Sequence, residues 1–440
     1  KFIEDQLDSK QIKECVETSL SLLNVGKETI IVPLLGTIFL APLQEIFREI
    51  GIANGFVTWI LGESGTQKST LAALMLSHFG NFERDTIPCG FKDTVNSLEK
   101  QAFIVKDSVL LIDDYYPSQS LQESRKMEAV AESIFGMAGD KQGRSRMKQN
   151  GKDIRKSYSS RGILMATGEN FPDFAESRVA RSVIVEIEKG DLRLDILSYL
   201  QGNKDKLNIC MREYIKWIIV NYDKIREQIA IDFPRYREKF NRDFSHVRIP
   251  ENMASLYIGC EMFFEFARAN GVIDTTIMTE WKLICFNSLL KLANKQSIRT
   301  SDSKPDKMFF YAIQELLASG EAYFQVYLHE NQSSTNPYAK VLGCYDSQKS
   351  MYYLIPGTAY KLVVEYYEKQ NIKFPLNPGA LWTYLKKHGS IAIAEKDRNM
   401  IRRKINNESI AVIAVHQQMI SPDLGENSMN KENEEIILPF

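Results

Sequence analysis

An α/β fold, a parallel sheet set between helical regions, is predicted by three observations. Four short apolar runs, FVTWIL (56–61), SVLLID (108–113), GILMAT (162–167) and SVIVEI (182–187), alternate with helix-period stretches. The first run leads straight into a loop rich in glycine and ending in lysine, LGESGTQKST (61–70). The second closes on two adjacent acids, LLIDD (110–114). Alternating strand and helix patterns are what crossover connections between parallel strands require. The runs are short and dense in branched apolar residues, as strands covered on both faces must be.

Each region follows from its own pattern. Residues 1–50 read as a helical segment. Within them, IIVPLLGTIFLAPL (30–43) is shorter than the ~20 residues a bilayer span needs, and Pro33, Gly36 and Pro42 interrupt it. It reads as a buried segment rather than a membrane anchor. Residues 51–190 carry the sheet, and Asn96 and Glu99 form a capping box opening a helix between the first two strands. Residues 191–300 turn helical, with apolar faces at helix spacing over 207–229 and 251–271, and Gly271 as a stop. Residues 301–420 are mixed: a hairpin turning near Asp346 and Ser347, the helical GTAYKLVVEYYEKQ and PGALWTYLKKHG, and two strand-like runs around Asn406 and Asn407. Residues 421–440 are polar and acid-rich, and are expected to be disordered.

Composition excludes several classes. The 440 residues predict two to three domains, and 44% hydrophobic with 25% charged residues is ordinary for a globular protein. A net charge of −1 gives no global attraction to nucleic acid or membrane, so any such partner must meet a local patch. Six scattered cysteines form no C-x-x-C pair. That argues against a zinc site or disulfide framework and fits a reducing, cytoplasmic setting. The chain begins at Lys1 rather than Met, which reads as a fragment or a trimmed chain and leaves open whether a domain lies upstream.

The loop after the first strand has the spacing of a phosphate cradle, G-x-x-x-x-G-K-[ST], with one departure: Gln67 stands where glycine is usual. Backbone N–H groups of Gly62, Gly65, Thr66 and Gln67, with the helix N-terminus, would surround phosphates. Lys68 would add a point charge. Ser69 would hold Mg²⁺, with Thr70 the lesser candidate. Gln67 contributes mainly its N–H, so its side chain is tolerable if it points away from the ligand. In the acid pair, Asp113 would hold the metal's water shell and Asp114 would orient or deprotonate an attacking water. A third element, GILMATGEN (162–170), ends its strand in Thr167 and Asn170, either of which can hold that water. A fourth, ESRVARSVIVEI, places Arg178 and Arg181 before the last strand. Either could reach a neighbouring subunit's γ-phosphate. The cofactors so implied are ATP and Mg²⁺.

One stretch breaks the chain's neutrality. Residues 141–161 hold eight basic residues (Lys141, Arg144, Arg146, Lys148, Lys152, Arg155, Lys156, Arg161) against the single acid Asp153. Gly143 and the Asn150–Gly151 turn signal a hairpin. The preceding helix presents apolar residues at 127, 130, 131, 134 and 138, which anchor it on the core. A charge run is ordinarily a solvated face. A positive hairpin between the acidic strand and the polar-ended strand is suited to gripping a phosphate backbone.

Taken together, GESGTQKST, VLLIDDY, GRSRM…RGILMATGEN and RVARSVIVEIEKGD resemble the ATPase core of primase–helicase proteins of phages and integrated mobile elements. That group includes the staphylococcal cassette-chromosome and pathogenicity-island helicases. It belongs to the AAA+ P-loop ATPases and is similar to the minichromosome-maintenance helicases, which also lack glycine before the loop lysine. The likeness is best over 50–190 and looser to about 415. It implies Walker roles for Lys68, Ser69, Asp113 and Asp114, and a finger role for Arg181. It implies that 141–161 is a hairpin lining a DNA channel. It makes Arg248 a second sensor on a lid helix, and the C-terminal domain winged-helix-like. It further implies a hexameric ring on single-stranded or forked DNA, a primase or other replication partner, and no membrane. Aspartate at 114 in place of glutamate puts turnover rate in question. Two other readings stand beside the helicase: a nucleotide-dependent switch that does not translocate, and a non-catalytic origin-binding initiator.

Overall fold

The computed structural model describes residues 7–421 except 117–119, 141–145, 148–153, 156–159, 173–175, 243, 245, 327–335, 337, 371, 373, 393–398 and 406–407. The tail read as disordered lies, apart from Ser421, outside the described residues. The chain divides into two compact units, Lys1–Ser301 and Asp302–Phe440.

The first 50 residues are helical for local reasons. In α1 (Ser9–Leu20) the Asp8 carboxylate accepts the Gln11 N–H at 2.7 Å and the Gln11 side chain accepts the Asp8 N–H at 3.0 Å. This reciprocal cap satisfies two donors that the first turn would otherwise leave open. Helix α2 (Glu28–Leu40) is buried throughout from Ile30 to Leu40. With α3 (Gln44–Glu49) it forms a stretch, Glu28–Glu49, apolar and long enough to cross a bilayer, and 89% of its apolar window is buried inside the protein. Thr37 Oγ1 on α2 donates to the Pro33 carbonyl at 2.8 Å and meets Thr58 Oγ1 at 2.8 Å.

Thr58 belongs to β1 (Val57–Leu61), and α4 (Lys68–Leu76) follows it. Then come β2 (Cys89–Gly90), α5 (Val95–Ile104), β3 (Lys106–Tyr115) and α6 (Leu121–Asp140). A small antiparallel pair, β4 (Arg146–Met147) and β5 (Ile154–Arg155), precedes β6 (Arg161–Gly168), α7 (Glu176–Val179) and β7 (Ser182–Glu186). The large sheet has the order β2-β3-β6-β1-β7 and is parallel throughout. All four strands read from sequence are present; β2, two residues long at the edge, is too short to leave a pattern. The sheet is covered on both faces. Ile60, Leu111, Met165 and Val183 pack with α2 and α4, whereas Trp59, Leu110, Ile112 and Ala166 pack with α5 and α6.

Two expectations are corrected. Helix α5 is capped by Thr94, whose hydroxyl accepts the Ser97 N–H at 3.3 Å; Asn96 lies inside the first turn and Glu99 is buried. The extended residue before the turn outcompetes the box two positions later. The run 207–229 is two helices, α9 (Lys204–Val220) and α10 (Tyr222–Phe240), after α8 (Leu194–Gln201). Asn221 separates them, its side chain donating back to the Trp217 carbonyl at 2.9 Å. Such local competition is why asparagine interrupts helices. Helices α11 (Arg248–Ala269) and α12 (Thr275–Asp302) complete the unit, and Gly271 at φ +67° ends the first of them as read. Helix α11 crosses α2 so closely that a methyl on Gly259 would lie 2.3 Å from the Gly36 carbonyl oxygen.

The second unit holds α13 (Pro305–Ala318), β8 (Ala322–Val326), β9 (Lys340–Asp346), β10 (Met351–Leu354), α14 (Pro356–Glu368), α15 (Pro378–Lys387), β11 (Ile401–Ile405), β12 (Glu408–His416) and α16 (Gln417–Ile420). Its sheet runs β11-β12-β10-β9-β8, with β8 and β9 parallel and the other pairs antiparallel. Helices α13, α14 and α15 share one core with Leu342, Leu354, Ile413 and Val415. The hairpin turning after Asp346, both helices and the paired strands flanking 406–407 fall where the sequence placed them.

Candidate nucleotide site

The loop 62–67 leaves the C-terminal end of β1, an interior strand between β6 and β7, and opens α4. Open parallel sheets bind ligands at that edge, where helix N-termini converge. Two close approaches explain the glycines. A methyl on Gly62 would lie 2.5 Å from the Ile187 carbonyl oxygen, and Gly65 turns at φ +83°. Gln67 also adopts a left-handed conformation, φ 65° and ψ 19°. A side chain there costs about 1–2 kcal/mol relative to glycine. Its Oε1 accepts the Thr70 hydroxyl at 3.0 Å, so side chain and Thr70 are engaged with each other along α4. Thr66 and Lys68 are buried; the Thr66 hydroxyl donates to the Glu63 carbonyl at 2.9 Å and Lys68 Nζ to the same oxygen at 3.4 Å.

The acid pair meets this loop. Ser69 Oγ donates to Asp113 Oδ1 at 2.9 Å, across 44 residues of sequence. Thr167 Oγ1 donates to the same carboxylate oxygen. It also accepts the Asp114 N–H at 3.1 Å. This arrangement depends on a bulge. Ile112 is opposite Ala166 and Tyr115 opposite Gly168, so β3 carries one residue more than β6 between them. Asp114 takes up the extra residue at φ 72° and is exposed. A bulge frees one N–H from the ladder and re-aims side chains; here the freed N–H goes to Thr167 and the two acids part. Gly168 lets the chains close beyond it, since a methyl there would lie 2.9 Å from the Tyr115 carbonyl oxygen. Asn170 follows two residues later and is exposed.

Ser69, Asp113, Thr167 and Lys68 are therefore brought together, with Asp114 and Asn170 beside them. A serine hydroxyl and a carboxylate within hydrogen-bond reach are hard oxygen donors of the kind Mg²⁺ takes while keeping several waters. The residues present fit that ion. Sequence reasoning missed the bulge and Gly168. Both follow from strand register, which no local pattern reports.

The other candidates lie elsewhere. Arg181 and Arg178 precede β7, whose Ser182 is level with Val57, the first residue of β1. They sit at the N-terminal edge of the sheet, across the length of β1, roughly 16 Å, from the phosphate loop. Arg178 pairs with Glu132 of α6 at 2.6 Å. The Arg181 guanidinium packs on Gly139, where an added methyl would lie 2.2 Å away. Arg248 starts α11 at this same edge. It borders a cavity of about 360 Å³ together with residues 51–55, Gly139, Phe233, Arg237, Glu251, Asn252 and Ser255. Asn252 donates to the Ala180 carbonyl at 3.2 Å and Ser255 to Asn54 Oδ1 at 2.7 Å, which fixes α11 against this end of the sheet. The structure does not bring Arg181 or Arg248 to the phosphate loop of their own chain.

In the basic stretch, Arg146 is paired opposite Arg155 and Met147 opposite Ile154, an antiparallel hairpin. Lys141, Arg144, Lys148, Lys152 and Lys156 lie outside the described residues. Arg161 is committed to structure: its Nε donates to the Phe103 carbonyl at 2.5 Å and its guanidinium lies 4.0 Å from the Phe103 ring centre.

One solved structure shares this architecture. A solved structure described as an SCCmec type IV Cch, an active helicase, matches with TM-score 0.59 at 13% identity, over 91% of this chain and 70% of that one. At that identity the likeness shows the fold: an α/β, helicase-like architecture. An inhibitor-bound JCV helicase matches over 57% of this chain and 73% of that one at 14% identity, with a TM-score of 0.24. No protein-family model matches the chain, and no curated protein matches it.

Proposed function

We propose that this protein is an ATP-driven DNA helicase or translocase of the AAA+ type, working as a ring in the replication of a mobile element. The observation that carries the reading is the Ser69–Asp113 hydrogen bond, which joins the phosphate loop after β1 to the acid on β3, the next strand but one, at the ligand-binding edge of a parallel sheet. Loop N–H groups and Lys68 would bind the β- and γ-phosphates. Ser69 and Asp113 would hold Mg²⁺, which when bound offsets charge on the phosphates. Thr167 is bonded to both aspartates and so positions them; exposed Asn170 would hold the attacking water and Asp114 would take its proton. Arg181 and Arg248 reach no phosphate in their own chain, so they act on a neighbour's nucleotide. This requires an oligomer, and a hexameric ring satisfies it.

The β4–β5 hairpin is inserted directly before β6, the strand that ends in Thr167. A strand of eight residues thus links the DNA-gripping element to the residue that holds both acids. The basic residues of 141–161 suit the phosphate backbone of single-stranded or forked DNA. The helices α13–α15 with the β11–β12 hairpin have the makings of a winged helix. A primase or another replication protein is the partner this reading implies, and a cytoplasmic setting the site of action.

The test is ATPase and strand displacement, each with and without single-stranded DNA. Lys68→Ala should abolish both activities. A neutralised Arg144/Arg146/Lys148 variant should keep basal ATPase and lose unwinding. A switch without translocation would instead show hydrolysis indifferent to DNA. Normal unwinding by the hairpin variant would reduce the basic stretch to a solvated surface.

A further inference from the structure

The cavity of about 360 Å³ at the N-terminal edge of the large sheet takes no part in the phosphate loop of its own chain. Its walls are the turn 51–55 before β1, the end of α6, one side of α10 and the first two turns of α11. That volume falls within the ~300–1,000 Å³ of small-molecule sites.

The lining is ordered, and it is short of one partner. Asn54, in the cavity wall, is only 9% exposed. Its Oδ1 accepts the Ser255 hydroxyl at 2.7 Å, which fixes the plane of the amide. Its Nδ2 is buried and meets no acceptor. Such orphaned donors are rare because each forfeits the bond it had with water. Among the described residues, the N–H groups of Ala53, Asn54 and Gly55 donate to no carbonyl either. The electrostatics have one sign. Helix α11 turns its N-terminal end to the cavity, where the helix dipole favours negative charge. Arg237 and Arg248 border it against a single carboxylate, Glu251, which stands 3.5 Å from Arg237. Phe233 and Ile52 supply an apolar surface.

Ordered water would pair with Asn54, but it brings no charge to answer the arginines and the helix end, and nothing apolar to cover Phe233. A bare anion would answer the charge and leave most of the volume unfilled. Convergent donors with two arginines suit the three oxygens and double charge of a phosphate better than the two oxygens of a carboxylate. We propose that this cavity binds a small organic phosphate, its phosphate held by Asn54 Nδ2 and the start of α11 with Arg237 and Arg248 at the rim, its body against Phe233. The site lies the length of β1, roughly 16 Å, from the phosphate loop. It needs neither ATP nor a neighbouring copy, so it stands whether or not the motor reading does.

The experiment titrates the full chain with phenyl phosphate by calorimetry, without ATP or Mg²⁺, in a Lys68→Ala background that keeps the phosphate loop out of the reading. Phenol, benzoate and inorganic phosphate are the comparisons. Phenyl phosphate should bind one per chain with a Kd of about 1 mM or tighter. Each comparison compound should bind about tenfold or more weakly, since each lacks the charge, the third oxygen or the body. Adding Asn54→Leu or Arg237→Gln should each weaken phenyl phosphate about tenfold. Arg237 is half exposed, so its variant folds even if the buried Asn54→Leu does not, and melting followed by circular dichroism checks both. No saturable binding would mean that the cavity holds water alone, and would overturn the proposal. So would unchanged affinity in the Arg237→Gln chain, or inorganic phosphate binding as tightly as phenyl phosphate.

Discussion

His78 is held in a single protonation state by its surroundings. It is fully buried, edge-on to Phe39, with Nδ1 2.8 Å from the Met75 carbonyl and Nε2 2.9 Å from Ser19 Oγ. A carbonyl only accepts, so Nδ1 carries the proton and Nε2 accepts from the serine. Burial drives its pKa from 6.5 down to about 4. A lowered pKa contributes stability that is whole above 6.5 and is lost as pH falls toward 4, because the unfolded chain takes the proton first. The loss is about 3 kcal/mol at most. Denaturant midpoints measured from pH 7 to pH 4 should therefore fall less steeply for His78→Gln than for wild type. Parallel curves would show that the acid sensitivity resides elsewhere. Gln67 makes the opposite point. Its left-handed backbone explains why glycine is usual there, and its bond to Thr70 shows how a long side chain is accommodated.

Among elements, the crossing of α2 and α11 carries a prediction with a diagnostic sign. Helix propensity alone would have Gly259→Ala stabilise the protein by roughly 1 kcal/mol. The methyl would instead meet the Gly36 carbonyl oxygen at 2.3 Å and the Leu40 nitrogen at 3.0 Å, both backbone atoms that cannot rotate away. Overpacking of this kind costs about 1–3 kcal/mol, so equilibrium denaturation should show a net loss. A gain would mean that the helices are free to separate. The β3 bulge shows where sequence reading ends. The strand, its acids and the loop they serve were legible because each is a local pattern of spacing and residue type. Which strand lies beside β3, and that one residue is extra between Ile112 and Tyr115, depends on pairing with a segment more than fifty residues away. Thr167 and Asn170 were therefore indistinguishable in sequence; the structure buries Thr167 against both aspartates and leaves Asn170 exposed. Thr94 took the cap read at Asn96 for a smaller reason: both are good caps, and only the backbone shows which one is extended.

At the scale of the whole chain, the phosphate loop and the arginines at 181 and 248 occupy opposite edges of one sheet, so if both serve one nucleotide, as proposed above, the working site is divided between two copies. ATPase per chain should then rise with protein concentration and fall on dilution below the assembly constant. An Arg181→Ala chain should lose turnover yet support it when mixed with Lys68→Ala, since each then supplies the half the other lacks. Concentration-independent turnover by a species shown to be monomeric would contradict the division. Such pairing also has a direction. One face of the molecule donates and a different face receives, so every copy that gains a neighbour presents the same unfilled edge it covered. An assembly built this way has no natural end at two subunits: it closes on itself if the rotation between neighbours permits, and otherwise it grows as an open spiral.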